Sequence, residues 1–167
     1  MSVACRPAIH AVGIASSARA IGTITPSGNI VVERTTTAIL ADFPAVSGHF
    51  SRVEVVGSID AYKDDYDWDG MMRAAVLLSH AEPDVICWNG SKGGSIGLDV
   101  DCRLCERITA ATGKPATTSS LAILEAFAAT AVRRFGLVTP MRPPTPTVSR
   151  RTSMRRAMPA SARRMPD

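Results

Sequence analysis

The sequence predicts an α/β domain built on a parallel sheet with helices on both faces, and three observations predict it. Short apolar runs alternate with helix-length amphipathic segments from about residue 20 to residue 140. The connections between them are short, as in successive strand–helix–strand units. The run PDVICWNG (83–90) is apolar without alternation, as a strand covered on both faces would be.

Taken in order, AIGTIT (20–25) reads as a strand ending in the turn PSGN. A helix starts near Asn29, whose side chain can cap it, and runs towards Leu40. RVEVVG (52–57) reads as the second strand. The acidic opening of DDYDWDGMMRAAVLLSHAE complements a helix N-terminus, and Met72, Val76 and Leu77 or Leu78 supply its apolar set. After the strand at 83–90, GLDVDCRLCERITAATG is a helix closed by Gly113. KPATTS leads into another helix, SLAILEAFAAT, capped by Ser119 or Ser120, and RRFGLVTP (133–140) is a further strand.

Three domain-level regions follow: an N-terminal extension over 1–19, an α/β lobe over 20–140 and a basic tail over 141–167. The net charge of +4 divides unevenly between them. Residues 1–140 hold 12 Lys and Arg against 14 Asp and Glu, a net −2, and residues 141–167 hold 7 Arg against one Asp, a net +6. The basic character therefore belongs to the tail, and the body gives no reason to expect nucleic acid as a partner. The tail holds five of the eleven prolines and almost no bulky apolar residue, so it is expected to be disordered. Its Arg, Pro, Ala, Ser and Thr are also what GC-rich coding sequence yields out of frame, so the tail is read as a frame-shifted or truncated continuation.

Arg6, His10 and Arg19 interrupt the small apolar residues at the start. No signal peptide, no membrane span and a cytoplasmic location are therefore expected. Four cysteines in a chain this long need not form a disulfide framework.

In open parallel sheets ligands sit at the C-terminal ends of the strands. That rule gathers TPSGN, NGSKGG and VTPM on one rim, with ATTS nearby. Gly90, Gly93 and Gly94 let a backbone approach a ligand, and Ser91 offers a hydroxyl. Backbone N–H groups at a strand-to-helix turn suit an anion, but GSKGG lacks the spacing of a nucleotide-binding phosphate loop. Ser27, Asn29, Thr117, Thr118 and Ser119 add small neutral donors. Such a ring suits a carboxylate and calls for neither cofactor nor metal.

The stretches IGTITPSGNIVVE, VICWNGSKGGSIG and TGKPATTSSLAILEAF…VRRFGLVTP, in that order, resemble the N-terminal half of the aspartate/glutamate racemase superfamily. The branch they resemble holds the maleate cis-trans isomerases and arylmalonate decarboxylases. The resemblance implies a flavodoxin-like lobe, one half of a two-lobe racemase-type fold with its active site in the cleft. It also implies a cofactor-independent isomerase, racemase or decarboxylase (a lyase) acting on small carboxylic or dicarboxylic acids. In that family each lobe can offer a catalytic cysteine at a strand end, and the decarboxylases have glycine at the first such position. Carried over, that position is Gly90, so no catalytic residue is assigned with certainty. The resemblance places Pro26, Ser27, Asn29, Gly90, Ser91, Thr117 and Thr118 around the substrate. After VTP the family continues with a tyrosine and acidic residues, and this chain has Met141 and the basic tail.

Other residues carry blander readings. Cys87 suits a small buried strand residue, and Cys102 and Cys105 suit a helix core, because no second ligand pair accompanies them. His49 and His80 suit structural or surface positions, and the acidic 64–69 run suits a solvated helix start. Lys92 either contacts a substrate carboxylate or faces solvent.

Two alternatives to an active enzyme stand beside it: a non-catalytic single-lobe remnant, and a binding module acting through the basic tail. An uncovered flank in a single lobe also makes a homo-oligomer an expected partner state.

Overall fold

The computed structural model describes residues 19–55, 65–132 and 134–136. The expectations for 1–18, for 56–64, and for the strand and tail from 137 onward lie outside the described residues. Residues 134–136 form no strand.

The elements are β1 (Arg19–Pro26), α1 (Val31–Leu40), β2 (Val46–Val53), α2 (Trp68–Ser79), β3 (Val85–Trp88), α3 (Gly93–Ile96), α4 (Leu98–Thr112), β4 (Ala116–Thr118) and α5 (Ser119–Ala129). The four strands form one parallel sheet in the order β2-β1-β3-β4. The fold class expected from the alternation of elements is the one observed. Two compact units divide the chain, the first ending at Leu121, and all four strands lie in it. In the second, Phe127 and Phe135 stack with ring centroids 4.7 Å apart.

Because parallel crossovers are right-handed, the step from β1 outward to β2 and the return steps to β3 and β4 place their helices on opposite faces. Residues paired in register share a face. The row Ile24, Trp88, Thr118 therefore looks towards α2 and α4, and the row Thr23, Cys87, Thr117 looks the other way. The core fills the first face: Ile24, Met71, Ala75, Ile86, Leu104 and Ile108 are almost fully buried there.

Local signals account for most boundaries. Asn29 Oδ1 accepts from the backbone N–H groups of Val31 at 3.0 Å and Val32 at 3.2 Å, which starts α1 where the sequence placed it. Asp67 caps α2 by accepting from Gly70 N at 3.0 Å. Gly113, at φ +69°, closes α4, and its N–H reaches the Thr109 carbonyl at 2.8 Å.

Three expectations are corrected. The second strand is VSGHFSRV, not RVEVVG; it overlaps the expected run only at Arg52 and Val53. It lies at the sheet edge, half-exposed, where pairing with β1 rather than an apolar run defines it. Ala116–Thr118 is a strand rather than a lead-in to a helix, since it completes the sheet beside β3. The cap of α5 is Thr118, whose Oγ1 accepts from Leu121 N at 3.2 Å, not Ser119 or Ser120.

Candidate functional site

The strand order reverses direction between β1 and β3: the chain leaves β1 towards β2 and leaves β3 towards β4. At such a point the two outgoing connections diverge and open a crevice at the carboxyl ends of the strands. Pro26 ends β1 there and Ser27 to Asn29 follow it, and Asn89 to Ser91 follow β3. Thr117 and Thr118 end β4, the next strand over, and the hydroxyl of Ser119, which opens α5, donates to Oδ1 of Asn89, just after β3, at 3.3 Å. The fold thus brings all seven expected site residues to one end of the sheet.

Their side chains do not all stand ready for a ligand. Ser27 Oγ donates to the Val55 carbonyl at 3.1 Å and accepts from Val55 N at 3.0 Å, so it pins the chain beyond β2. The Asn29 amide oxygen is committed to α1, which leaves its Nδ2 amide as the group with donor capacity. The Thr118 hydroxyl is fully buried and donates to Asp101 Oδ2 at 2.6 Å. Ser91 is exposed, and Thr117 is half-buried on the opposite face of the sheet from Thr118.

Gly90 lies against the Trp88 indole. A β-carbon placed on Gly90 would fall 2.3 Å from Trp88 Cζ2 and 2.6 Å from Cε2, closer than van der Waals contact allows. Trp88 is itself held in the core, edge-on to the Tyr66 ring at 5.9 Å between centroids. Two buried polar atoms at these strand ends, Thr25 Oγ1 and Trp88 Nε1, have no hydrogen-bond partner among the described residues.

Cys87 stands one strand position before Trp88, between Thr23 and Thr117 in register. Burial, with a smaller contribution from the Asp101 charge, pushes its thiol up to about 11. At neutral pH it is a protonated thiol, poor as a nucleophile.

Sequence reasoning passed over three residues beside the crevice. Arg52, at the end of β2, donates to the Ser27 carbonyl at 2.6 Å and pairs with Glu33 at 2.8 Å. Pairing with β1, which no apolar run announces, brings Arg52 opposite Thr25. Tyr66 and Asp101 form a buried hydrogen bond of 2.5 Å. Burial first, and then Asp101, hold the Tyr66 hydroxyl well above the ordinary tyrosine range. The one signal for Asp101 was its fourth place in an amphipathic helix otherwise apolar on that side.

An open depression of about 560 Å³ lies along α2, lined by Asp69, Met72, Arg73, Val76 and Leu77 and by none of the strand-end residues. Among the described residues no group of three or more His, Cys, Asp or Glu side chains is placed to hold a metal ion. No helix among them is long and apolar enough to cross a membrane.

No family model matches the sequence, and no curated protein does. Among solved structures, unliganded arylmalonate decarboxylase superposes with a TM-score of 0.54 at 23% identity, over 69% of this chain and 48% of that one. The chain thus spans about half the length of the solved structure it matches. What the two share is the α/β fold, with its parallel four-stranded sheet and flanking helices.

Proposed function

We propose that the crevice between the ends of β1, β3 and β4 binds the carboxylate of a small carboxylic or dicarboxylic acid. In the whole protein it would serve a cofactor-independent isomerase, racemase or decarboxylase. What supports this reading is the strand order: the turn 89–91 with its glycine and exposed serine, Asn29 after β1 and the end of β4 lie at the same end of the sheet, beside the switch point. The enzyme class of the neighbour in fold is consistent with it.

The chemistry fits neutral donors. Removing a proton or CO2 next to a carboxylate places a second negative charge on a planar intermediate, which preorganised N–H and O–H groups stabilise. A proton donor must then reach the carbon. Gly90 offers none, and Cys87 lies within its strand, where burial makes its thiol too weak an acid to give up a proton readily.

That last observation favours a second reading, in which this chain is a non-catalytic lobe that retains carboxylate affinity. One experiment separates the two. The chain is titrated with malonate, maleate and phenylmalonate by calorimetry, and each acid is followed for turnover by NMR. Catalysis predicts saturable turnover that Ser91→Ala reduces at least tenfold. The binding reading predicts affinity weakened by Ser91→Ala and no turnover at any pH from 5 to 9. No affinity for any of the three acids would overturn both.

A further inference from the structure

Asp101 is a fully buried carboxylate in the first turn of α4. Its two oxygens serve different parts of the fold. Tyr66, just before α2, donates to Oδ1 at 2.5 Å, and Thr118, at the end of β4, donates to Oδ2 at 2.6 Å. Thr118 Oγ1 in turn accepts from Leu121 N at 3.2 Å, so the same hydroxyl begins α5.

The carboxylate also lies directly against Gly93, the first residue of α3, which follows β3. A β-carbon on Gly93 would fall 2.1 Å from Oδ2 and 2.2 Å from Oδ1, so only glycine admits this approach. One buried group therefore touches the start of α3, the end of β4 and the segment entering α2. The first two adjoin the carboxyl ends of β3 and β4, beside the switch point.

Simple packing does not call for this arrangement. A buried carboxylate is costly to desolvate, and apolar side chains of similar volume often replace buried charged groups without loss. The two hydroxyl donors compensate part of that cost, and they fix the directions from which Tyr66 and Thr118 approach.

We propose that Asp101 is a positioning residue for the carboxylate crevice. It sets the spacing between the 90–93 turn and the end of β4, and hence the geometry in which Ser91 and the β4 end meet a ligand. The inference rests on the carboxylate-binding reading for its purpose, but its structural content is tested apart from it. It also reassigns Thr118: with its proton directed at Asp101 and its oxygen accepting from Leu121, this hydroxyl holds the end of β4 and does not itself bind the ligand.

The test uses the full chain with Thr118→Val, Thr118→Ser, Tyr66→Phe and Asp101→Asn. It reads amide hydrogen exchange at Gly93 and Gly94, together with malonate affinity. Thr118→Val keeps the shape and removes the donor. It is expected to raise exchange at Gly93 and Gly94 about tenfold and to weaken malonate binding about tenfold, and Thr118→Ser is expected to restore both. Asp101→Asn should follow Thr118→Val, and if it fails to fold, Thr118→Val and Tyr66→Phe decide the matter. Changes confined to Leu121 and the start of α5, with Gly93 and Gly94 unaltered, would overturn the inference. If the wild-type chain binds no malonate, the carboxylate reading falls, and exchange at Gly93 and Gly94 alone upholds or overturns the positioning role.

Discussion

The Trp88 indole occupies the space that a side chain on Gly90 would need, with Cζ2 only 2.3 Å from where a β-carbon would stand. The two residues are two apart on the chain, and Trp88 cannot yield easily, since it is buried against Tyr66. Glycine at this position is therefore required by packing inside this chain, whatever its role towards a ligand.

Gly90→Ala should cost about 1–3 kcal/mol, the usual range for forcing an extra carbon into a filled core. Trp88→Phe removes the clashing edge of the indole. The double variant should lose at least 1 kcal/mol less than the sum of the two singles, as coupled neighbours do. Urea denaturation of all four proteins measures this, and strict additivity would contradict the geometry.

Asn29 separates capping from binding within one side chain. Its oxygen caps α1, so Asn29→Ala should cost about 1 kcal/mol. Asn29→Asp keeps a capping oxygen and should leave the melting temperature within about 2 °C. It also replaces the amide donor with a negative charge, so malonate affinity should fall by tenfold or more. Unchanged affinity in Asn29→Asp would remove Asn29 from the site.

Cys87 should alkylate slowly. A thiol raised from 9.0 to about 11 by burial is protonated through the neutral range, so its labelling by iodoacetamide should rise towards pH 11 and not level off near 9. The stability linkage has a definite sign. The raised value means the folded state keeps its proton after the unfolded chain has lost it, so this contribution is intact below pH 9. It falls by roughly 2–3 kcal/mol as pH climbs to 11. Comparing wild type with Cys87→Ala by denaturation across pH 7–11 isolates it.

Tyr66→Phe leaves Asp101 Oδ1 without its donor and should cost about 1–3 kcal/mol at neutral pH. Because the Tyr66 hydroxyl is held above its ordinary range, its contribution is present below about pH 10 and is lost as pH rises further. The variant should therefore show a shallower alkaline decline than wild type, measured by the same pH series.

The sequence by itself determined the fold class, because apolar periodicity and short connections leave few alternatives to a parallel sheet, and β1, β3 and the capped helices α1, α2 and α4 fall close to where pattern places them. It also put the turns after β1 and β3 at one end of the sheet, because parallel strands all end on the same side. Where partners in space define an element, the sequence was silent. The β2 strand VSGHFSRV has no strong pattern of its own and forms because β1 offers it an edge, and β4 is three residues completing a ladder beside β3. Tertiary structure alone decided which donors remain available. Ser27 and Thr118 carry hydroxyls that look alike in sequence to that of Ser91, yet Val55 and Asp101, 28 and 17 residues away, take up the first two. A hydroxyl binds whatever the folded chain brings within reach, and that is fixed by contacts between distant residues.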